Sequence, residues 1–466
     1  MNDAFLAGAA ARSIMPGPGA IDNDHHPQMT VRQQEVGSPL QVKVLALTLA
    51  KRSFVLIVPD TNRIRESSAD WMRDEIAGAL GLDRTNMVVQ CTHSHSTPFL
   101  ETTDGPHPYL TQVTAAAVDA AQQAWAERRP ARVGRGLRHV VGASFNQRVH
   151  LPDGGVKFTR DYREGLASGR PTDPRMTVLR FDDEHGDPIA GWIRFAAHPA
   201  CVIFNAPISA EYPGYLTDRV RETVAGGAPV IFGFGAAGDV NCVPMFGTED
   251  DTRRLGLGLA DQAIEVFGSI ETHAPRRLLT GRRTIDLPLD PVPDLETLDR
   301  DIAEVDAYQA GLDENPSAIW LLGSNAREAW SVEKKKAWAK PMGEWAERVK
   351  DAIAQGHQFP ETWPVEVSAC VLDDLGLIFY SGEVLTQIGL DIAARSPLDE
   401  TLVMTHADGW SGYLGTDEDR QRGGYETANW HRMFKPMTSI RPLPYALGAA
   451  EAMIQGCLGL LNDLID

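Results

Sequence analysis

Cysteine is sparse and widely spaced in this sequence. The 466 residues contain five (Cys91, Cys201, Cys242, Cys370, Cys457), an odd number with no CxxC pair. That excludes a cysteine-based zinc site and a disulfide framework. Cys91 and Cys370 lie in apolar, strand-like runs and read as buried thiols, and the whole pattern suits a reducing cytoplasm. Long apolar runs are missing too. No stretch approaches the roughly 18 residues that span a bilayer, so no membrane-spanning helix is expected. Basic charge is in deficit, with 44 Lys and Arg against 63 Asp and Glu, a net charge of −19 and a pI near 5.1. Nucleic-acid binding needs a basic footprint, and anionic membranes repel such a chain. No nucleic-acid or membrane partner is therefore expected. The N-terminus lacks a basic segment and its first charge is Asp3, so it reads as mature sequence and not as a signal peptide. It is expected to form a first strand, broken by Pro16-Gly17-Pro18. Internal repeats and low-complexity tracts are absent.

What is present is an ordinary globular composition, 43% hydrophobic, with 42 Gly and 30 Pro that favour turns over a helical bundle. Residues 39–49 alternate as a strand, and 53–62 form a continuous apolar run ending at Pro59-Asp60, as in a strand buried on both faces. Residues 67–80 read as a helix with Ser67 or Ser68 as N-cap and Gly81 as its stop. Residues 85–91 read as another buried strand, and 109–130 as a long helix ended by Pro130. Residues 175–204 pattern as a hairpin about a turn at 182–187. Residues 228–241 form a strand running into a small-residue loop, followed by a helix over about 250–267. Residues 292–358 carry helical spacing and read as an excursion on the outer surface. Strand character returns over 365–383. The expectation is a single large α/β catalytic domain over 1–466, with a mixed β-sheet core flanked by helices and a helical insertion at 292–358.

Polar residues collect where the apolar strands stop, the usual place for chemistry in α/β proteins. In "CTHSHSTP", His93 and His95 stand at i and i+2. At a strand end that spacing projects both rings to one side, where two imidazoles reach one ion; the alternative is a pair of surface histidines. His198, in "RFAAHPACV", is either a ligand or a structural histidine. In "GFGAAGDVN", small residues allow close backbone approach to a ligand, and Asp239 and Asn241 supply polar groups suited to substrate binding. The glycines fit GxGxxG, but no helix start follows them, which weighs against a dinucleotide fold. Glu383, in "IFYSGE", is either a ligand or base or the N-terminal charge of the next helix. Histidines and a carboxylate without thiolates suit Zn²⁺. Such an ion lowers the pKa of bound water toward about 7 and polarises a carbonyl.

The order of these motifs resembles the catalytic domain of the neutral (non-lysosomal) ceramidases and their bacterial ceramidase-like relatives. The resemblance runs from about residue 6 to 430, through "AGAAARSIMPGPG", "SPLQVKVLAL", "THSHSTP", "FAAHPACV", "ISAEYPGY", "GAAGDVN", "SGE" and "GYLGTDEDRQRGGYE". It implies a zinc amidase that cleaves an N-acyl bond. His93 corresponds to the first His of the family's THxHS motif, His198 to the second metal-binding His, and Glu383 to the Glu of its PGE motif, with Ser381 in place of Pro. Tyr413 heads the segment similar to YxTxxEExxxxxYE and is the last implied ligand. Tyr425, twelve residues on and followed by Glu426, takes the place of the Tyr that contacts the scissile carbonyl. His95 resembles the His near the metal-bound water.

The chain departs from the pattern at several points. The family's Asn-Arg-Ser becomes "FNQRVH", so Gln147 holds the arginine position and Arg148 stands beside it. Asp-Val-Ser becomes Asp239-Val240-Asn241, and Cys242 replaces a usual Pro. No counterpart to the family's C-terminal immunoglobulin-like domain is expected.

The leading expectation is therefore a zinc-dependent hydrolase of an amide bond, with a small-molecule or soluble substrate that need not be ceramide. Zinc sits on His93, His198, Glu383 and Tyr413, and His95 handles the water. Tyr425 with Arg148 stabilises the oxyanion. The alternatives are hydrolysis of an ester, lactone or glycosidic bond, the last by a carboxylate pair such as Asp239 with Glu383 or Glu211, and a non-catalytic relative.

Overall fold

The computed structural model describes residues 4–17, 36–100, 106–202, 207–318, 330–433 and 441–466. Pro18, the end of the 175–204 hairpin reading at Ile203 and Phe204, and part of the 292–358 insertion lie outside them.

Strict alternation along the central strands builds two stacked sheets. In Gln41–Leu49, the residues Val42, Val44 and Ala46 face one core while Leu45 and Leu47 face another. In Arg52–Pro59, Val55 and Ile57 face the first core, and Phe54, Leu56 and Val58 face the second. A strand covered on both faces has no polar side, which is why 53–58 reads as one apolar run. These strands belong to an eight-stranded mixed sheet. Its order is Val230–Phe234, Pro188–Phe195, Arg175–Asp183, Arg129–His139, Phe5–Ser13, Gln41–Leu49, Arg52–Pro59 and Met87–Val89. The pairs at its two edges are parallel. A four-stranded sheet of Leu278–Pro288, Thr362–Leu372, Leu375–Tyr380 and Glu400–Met404 lies against it, its last pair parallel.

The inner core holds Leu45, Phe54, Leu56, Leu179 and Ile231 from the large sheet against Cys370, Leu377, Phe379 and Met404 from the small one. Helices cover both outer faces. Glu66–Leu80 and Pro108–Ala126 cover one half of the large sheet, Glu211–Thr223 and Glu249–Ser269 the other. Thr386–Arg395 and Ala449–Ile465 cover the small sheet. The architecture is thus mixed α/β with its strands sandwiched between helical layers, as the sequence implies.

Three local readings change. The helix expected at 67–80 starts one residue earlier, at Glu66. Arg65 is its N-cap without a side-chain cap bond, and Ser68 is buried inside it. Gly81 does end it, in a left-handed conformation. The helix expected to run to Pro130 stops at Ala126, and Pro130 pairs within the strand that follows. The 292–358 insertion contains helices Leu295–Gly311 and Val332–Ala354 and is more than a surface excursion. Leu298, Trp345, Ala346 and Val349 are buried in the core beneath the small sheet. No helix among the described residues is long and apolar enough to cross a membrane.

Candidate metal centre

The two sheets meet where their parallel strands end. Gln90 marks the junction: its buried amide donates to the carbonyls of Phe234 (3.0 Å) and Thr405 (3.3 Å), joining three strand ends. Backbone bonds add to this. Thr405 N–H donates to Phe234 (3.1 Å), Cys91 N–H to His406 (3.0 Å) and Asp408 N–H to Val89 (2.7 Å). The residues just past these ends are forced into one pocket. Four of the seven described non-glycine residues with positive φ lie here: His93 (64°), Glu211 (52°), His406 (55°) and Asp408 (58°). Each such residue costs about 1 kcal/mol or more, and such strain concentrates at functional sites.

His93 donates from Nδ1 to the Asn62 carbonyl at 2.7 Å, and His198 donates from Nδ1 to the Val240 carbonyl at 3.0 Å. Those bonds set the tautomer and leave each Nε2 lone pair facing inward. Glu383 lies between them, its Oε1 2.7 Å from His198 Nε2 and 3.8 Å from His93 Nε2. Despite the short approach, Oε1 is buried without a hydrogen bond of normal geometry. His95 Nε2 lies 3.3 Å from His93 Nε2. Zn–N bonds of about 2.0–2.1 Å in a tetrahedron separate ligand nitrogens by about 3.3 Å, so this spacing suits a shared ion as well as a hydrogen bond. Strand alternation does not bring the two rings together. The strand ends at Val89, and a left-handed turn at His93 does the work.

Tyr413 is the register partner of Glu383 in a two-residue parallel ladder, and Glu383 N–H donates to Gly412 at 2.9 Å. Its ring lies 5.7 Å from that of Tyr425. Gly412, at φ 84°, is required there, because a Cβ would stand 2.3 Å from the Trp430 ring. Tyr425 opens a π-helical turn, Tyr425–Asn429, a form that recurs at functional sites.

Burial and the neighbouring rings hold the His93 imidazole well below its usual pKa. Burial and then His198 hold His95 down to about 3. At His198 burial pulls downward, but the Glu383 carboxylate outweighs it and raises the pKa. Burial opposes ionisation of Glu383, yet His198 and His406 bring it down to about 2. Burial, then the Glu383 charge, keep the Tyr413 and Tyr425 phenols protonated. A neutral His93 beside an ionised carboxylate is what a metal ion requires of its ligands, and the pull of Glu383 on His198 is one that a cation between them would replace. The donor set fits zinc: nitrogen and oxygen atoms, no thiolate, inward lone pairs and a carboxylate oxygen left without a partner.

The other expected residues sit around this centre in a supporting network. Asp239 accepts from Asn146 Nδ2 (2.6 Å) and from Thr386 N–H (2.7 Å), so both its oxygens serve the fold. Asn241 donates to Gln147 Oε1, and Gln147 donates to Glu426 Oε1 at 3.0 Å. Two of the residues at which the chain departs from the ceramidase pattern, Gln147 and Asn241, are therefore bonded to each other. Arg148 is fully buried. It pairs with Glu426 and donates from Nη2 to the carbonyls of Asp419 (3.2 Å) and Gly423 (2.8 Å). Its guanidinium holds the loop that precedes Tyr425, with Gly424 crossing so close that a Cβ would lie 3.1 Å from Nη1.

Glu211 stands in the "ISAEYPGY" motif, where it is weighed as a catalytic carboxylate, and two further residues of the site, Arg63 and His406, lack a motif in the sequence reading. Glu211 accepts from the N–H groups of His95 (3.1 Å), Cys201 (2.8 Å) and Val202 (3.1 Å), tying the His95 loop to the His198 loop. Arg63 stacks between Phe99 and Trp410, and its positive charge acts on His95, His406 and Tyr425. His406 is buried with its Nε2 3.2 Å from Glu383 Oε2. Its signal was available: Thr405-His406 follows an apolar strand just as Thr92-His93 does.

No protein-family model matches the chain, and no curated protein matches it in sequence. Solved structures do match in shape. The neutral ceramidase from Pseudomonas aeruginosa superposes with a TM-score of 0.67 at 16% identity, over 100% of this chain and 75% of that one. A structure described as a ceramidase complexed with C2 matches at 0.68 and 16%, over 99% and 76%. The order of strands and strand-end residues in this chain is thus set on a known scaffold, and the chain has the neutral-ceramidase fold.

Proposed function

We propose that this protein is a zinc-dependent hydrolase of an N-acyl amide bond, acting on a small or soluble substrate. The observation that carries the reading is the Glu383 carboxylate, buried and flanked by the inward Nε2 atoms of His198 and His93. The ceramidase fold of the solved neighbours supports the bond class. His93, His198 and Glu383 hold the ion, with Tyr413 beside Glu383 as the further ligand. When bound, zinc polarises a carbonyl and makes water acidic enough to act as a nucleophile near neutral pH.

The chain's own residues do the rest. His95 stays neutral because burial depresses its pKa to about 3, so its ring nitrogen is free to accept a hydrogen bond from water and orient it. Tyr425 keeps its phenolic proton and donates it in a hydrogen bond to the oxyanion that develops on the acyl carbon. Arg148 acts through position, holding Glu426 and the loop that presents Tyr425. Glycosidic cleavage by a carboxylate pair is the weaker reading. Asp239 spends its oxygens on Asn146 and Thr386, and Glu211 spends its own on three backbone N–H groups.

The test is elemental analysis of the purified protein together with a chelator-reversible screen over N-acyl amino compounds, ceramide included. Zinc near one equivalent and chelator-sensitive amide cleavage are expected, and both should vanish in His93→Ala. Full zinc content in His93→Ala, or activity indifferent to chelation, would overturn the reading.

A further inference from the structure

We infer that His406 is itself a ligand of the bound metal, so that three imidazoles (His93, His198 and His406) surround Glu383. This deepens the proposed function and rests on its metal centre. Four observations carry it. The His406 side chain has no exposure to solvent. Neither of its ring nitrogens makes a hydrogen bond of normal geometry among the described residues. Its ring stacks on His93, with centroids 3.7 Å apart and planes 20° from parallel. Its Nε2 lies 3.2 Å from Glu383 Oε2, the oxygen opposite the one that faces His198 and His93.

The carboxylate thus has imidazole nitrogens on both of its sides. The fold also fixes this ring with unusual care. His406 holds a positive φ of 55°, its N–H donates to Gly382 at 2.8 Å, and its carbonyl accepts from Cys91 at 3.0 Å. Gly382 directly precedes Glu383, and Cys91 stands two residues before His93. One strained residue is therefore bonded to the segments that carry Glu383 and His93. A buried imidazole nitrogen without a hydrogen-bond partner is unfavourable, and an ion coordinated at Nε2 removes the deficit at that nitrogen. A histidine serving only to orient Glu383 would donate Nε2–H to Oε2 in a bond of normal geometry, which is absent. The sphere that results is richer in nitrogen by one imidazole than the set implied by the sequence pattern.

X-ray absorption at the zinc edge decides it, on the full chain loaded with one equivalent of zinc. The wild type should show at least three imidazoles in the zinc shell, and His406→Asn should show one fewer. Asparagine tolerates positive φ, so this substitution keeps the turn while removing the ring. His95→Asn, made in parallel, should leave the count unchanged. Competition with a chelator should show zinc affinity in His406→Asn falling by more than the roughly 10–100-fold that loss of an outer-shell partner costs. Two imidazoles in the wild type, or an unchanged count in His406→Asn, overturns the assignment of His406 and leaves the zinc centre standing. A wild type that binds no zinc overturns both.

Discussion

Replacing Arg148 with methionine separates two roles for this side chain, one at the reacting carbonyl and one beneath it. Arg148 is fully buried beside Glu426, also fully buried, and it braces the Asp419 and Gly423 carbonyls. Asp419 keeps Arg170 (2.8 Å) and Thr416 (2.8 Å) when Arg148 is removed, so it stays compensated. Among the described side chains, Glu426 keeps the Gln147 amide at 3.0 Å. Burial already lifts the Glu426 pKa above the usual carboxylate range with Arg148 in place, so in the variant it takes up a proton or stays as an unpaired buried charge. Breaking such a pair from one side costs about 3–5 kcal/mol, a large part of a typical stability of about 5–15 kcal/mol. Urea unfolding followed by tryptophan fluorescence should show that loss. The double variant Arg148→Met with Glu426→Gln should recover about 1–2 kcal/mol, as expected for directly coupled groups. Turnover should fall in Arg148→Met and return in part in the double variant, because the loop that carries Tyr425 is re-ordered. Arg148→Met that unfolds within about 1 kcal/mol of wild type while losing turnover, with no rescue by Glu426→Gln, would refute the positioning role. It would return Arg148 to the oxyanion.

Tyr425→Phe should keep full zinc content and lose about 10²–10³ in kcat, the usual cost of one oxyanion donor, measured by metal analysis beside steady-state kinetics. The metal-free protein should lose stability on acidification. His95, with its folded pKa depressed to about 3 from 6.5, leaves the unfolded chain binding more protons below pH 6.5, a slope approaching about 1.4 kcal/mol per pH unit. Glu383, depressed to about 2, contributes stability that is present above its unfolded pKa of about 4.5 and is lost as pH falls toward 2. His198, with its raised pKa, opposes this slope, so the check is the comparison with His95→Asn: a pH dependence between pH 7 and pH 5 that is the same in that variant as in the wild type would contradict the buried, neutral His95. Trp345→Ala, in the helical insertion, should destabilise by about 3–5 kcal/mol through its cavity. It should also depress kcat without changing zinc content, because Trp345 meets the His431 ring at 5.0 Å just beyond the Tyr425 turn. Normal kcat in a folded Trp345→Ala would separate the insertion from the site.

By itself the sequence determined the strands, the helical cover and the places where chemistry collects. Short β-branched apolar runs such as 53–58 and 87–89, bounded by polar and turn residues, read as strands covered on both sides, and a polar residue directly after such a run sits at a sheet end. That rule reached His93, His198 and Glu383, and the motif order added Tyr413, Tyr425 and the ceramidase fold. Tertiary structure decided what each polar group is spent on. Asp239 and Arg148 have chemistry suited to an active site in one dimension, but in the fold their polar atoms are taken up by Thr386, Asn146, Glu426 and backbone carbonyls. His406 and Arg63 carry no motif, and only the meeting of the two sheets at Gln90 brings His406 against Glu383. Periodicity is a local property of the chain, so it survives in the sequence. Hydrogen-bond partnership is a property of pairs, and here those pairs join residues tens to hundreds of positions apart.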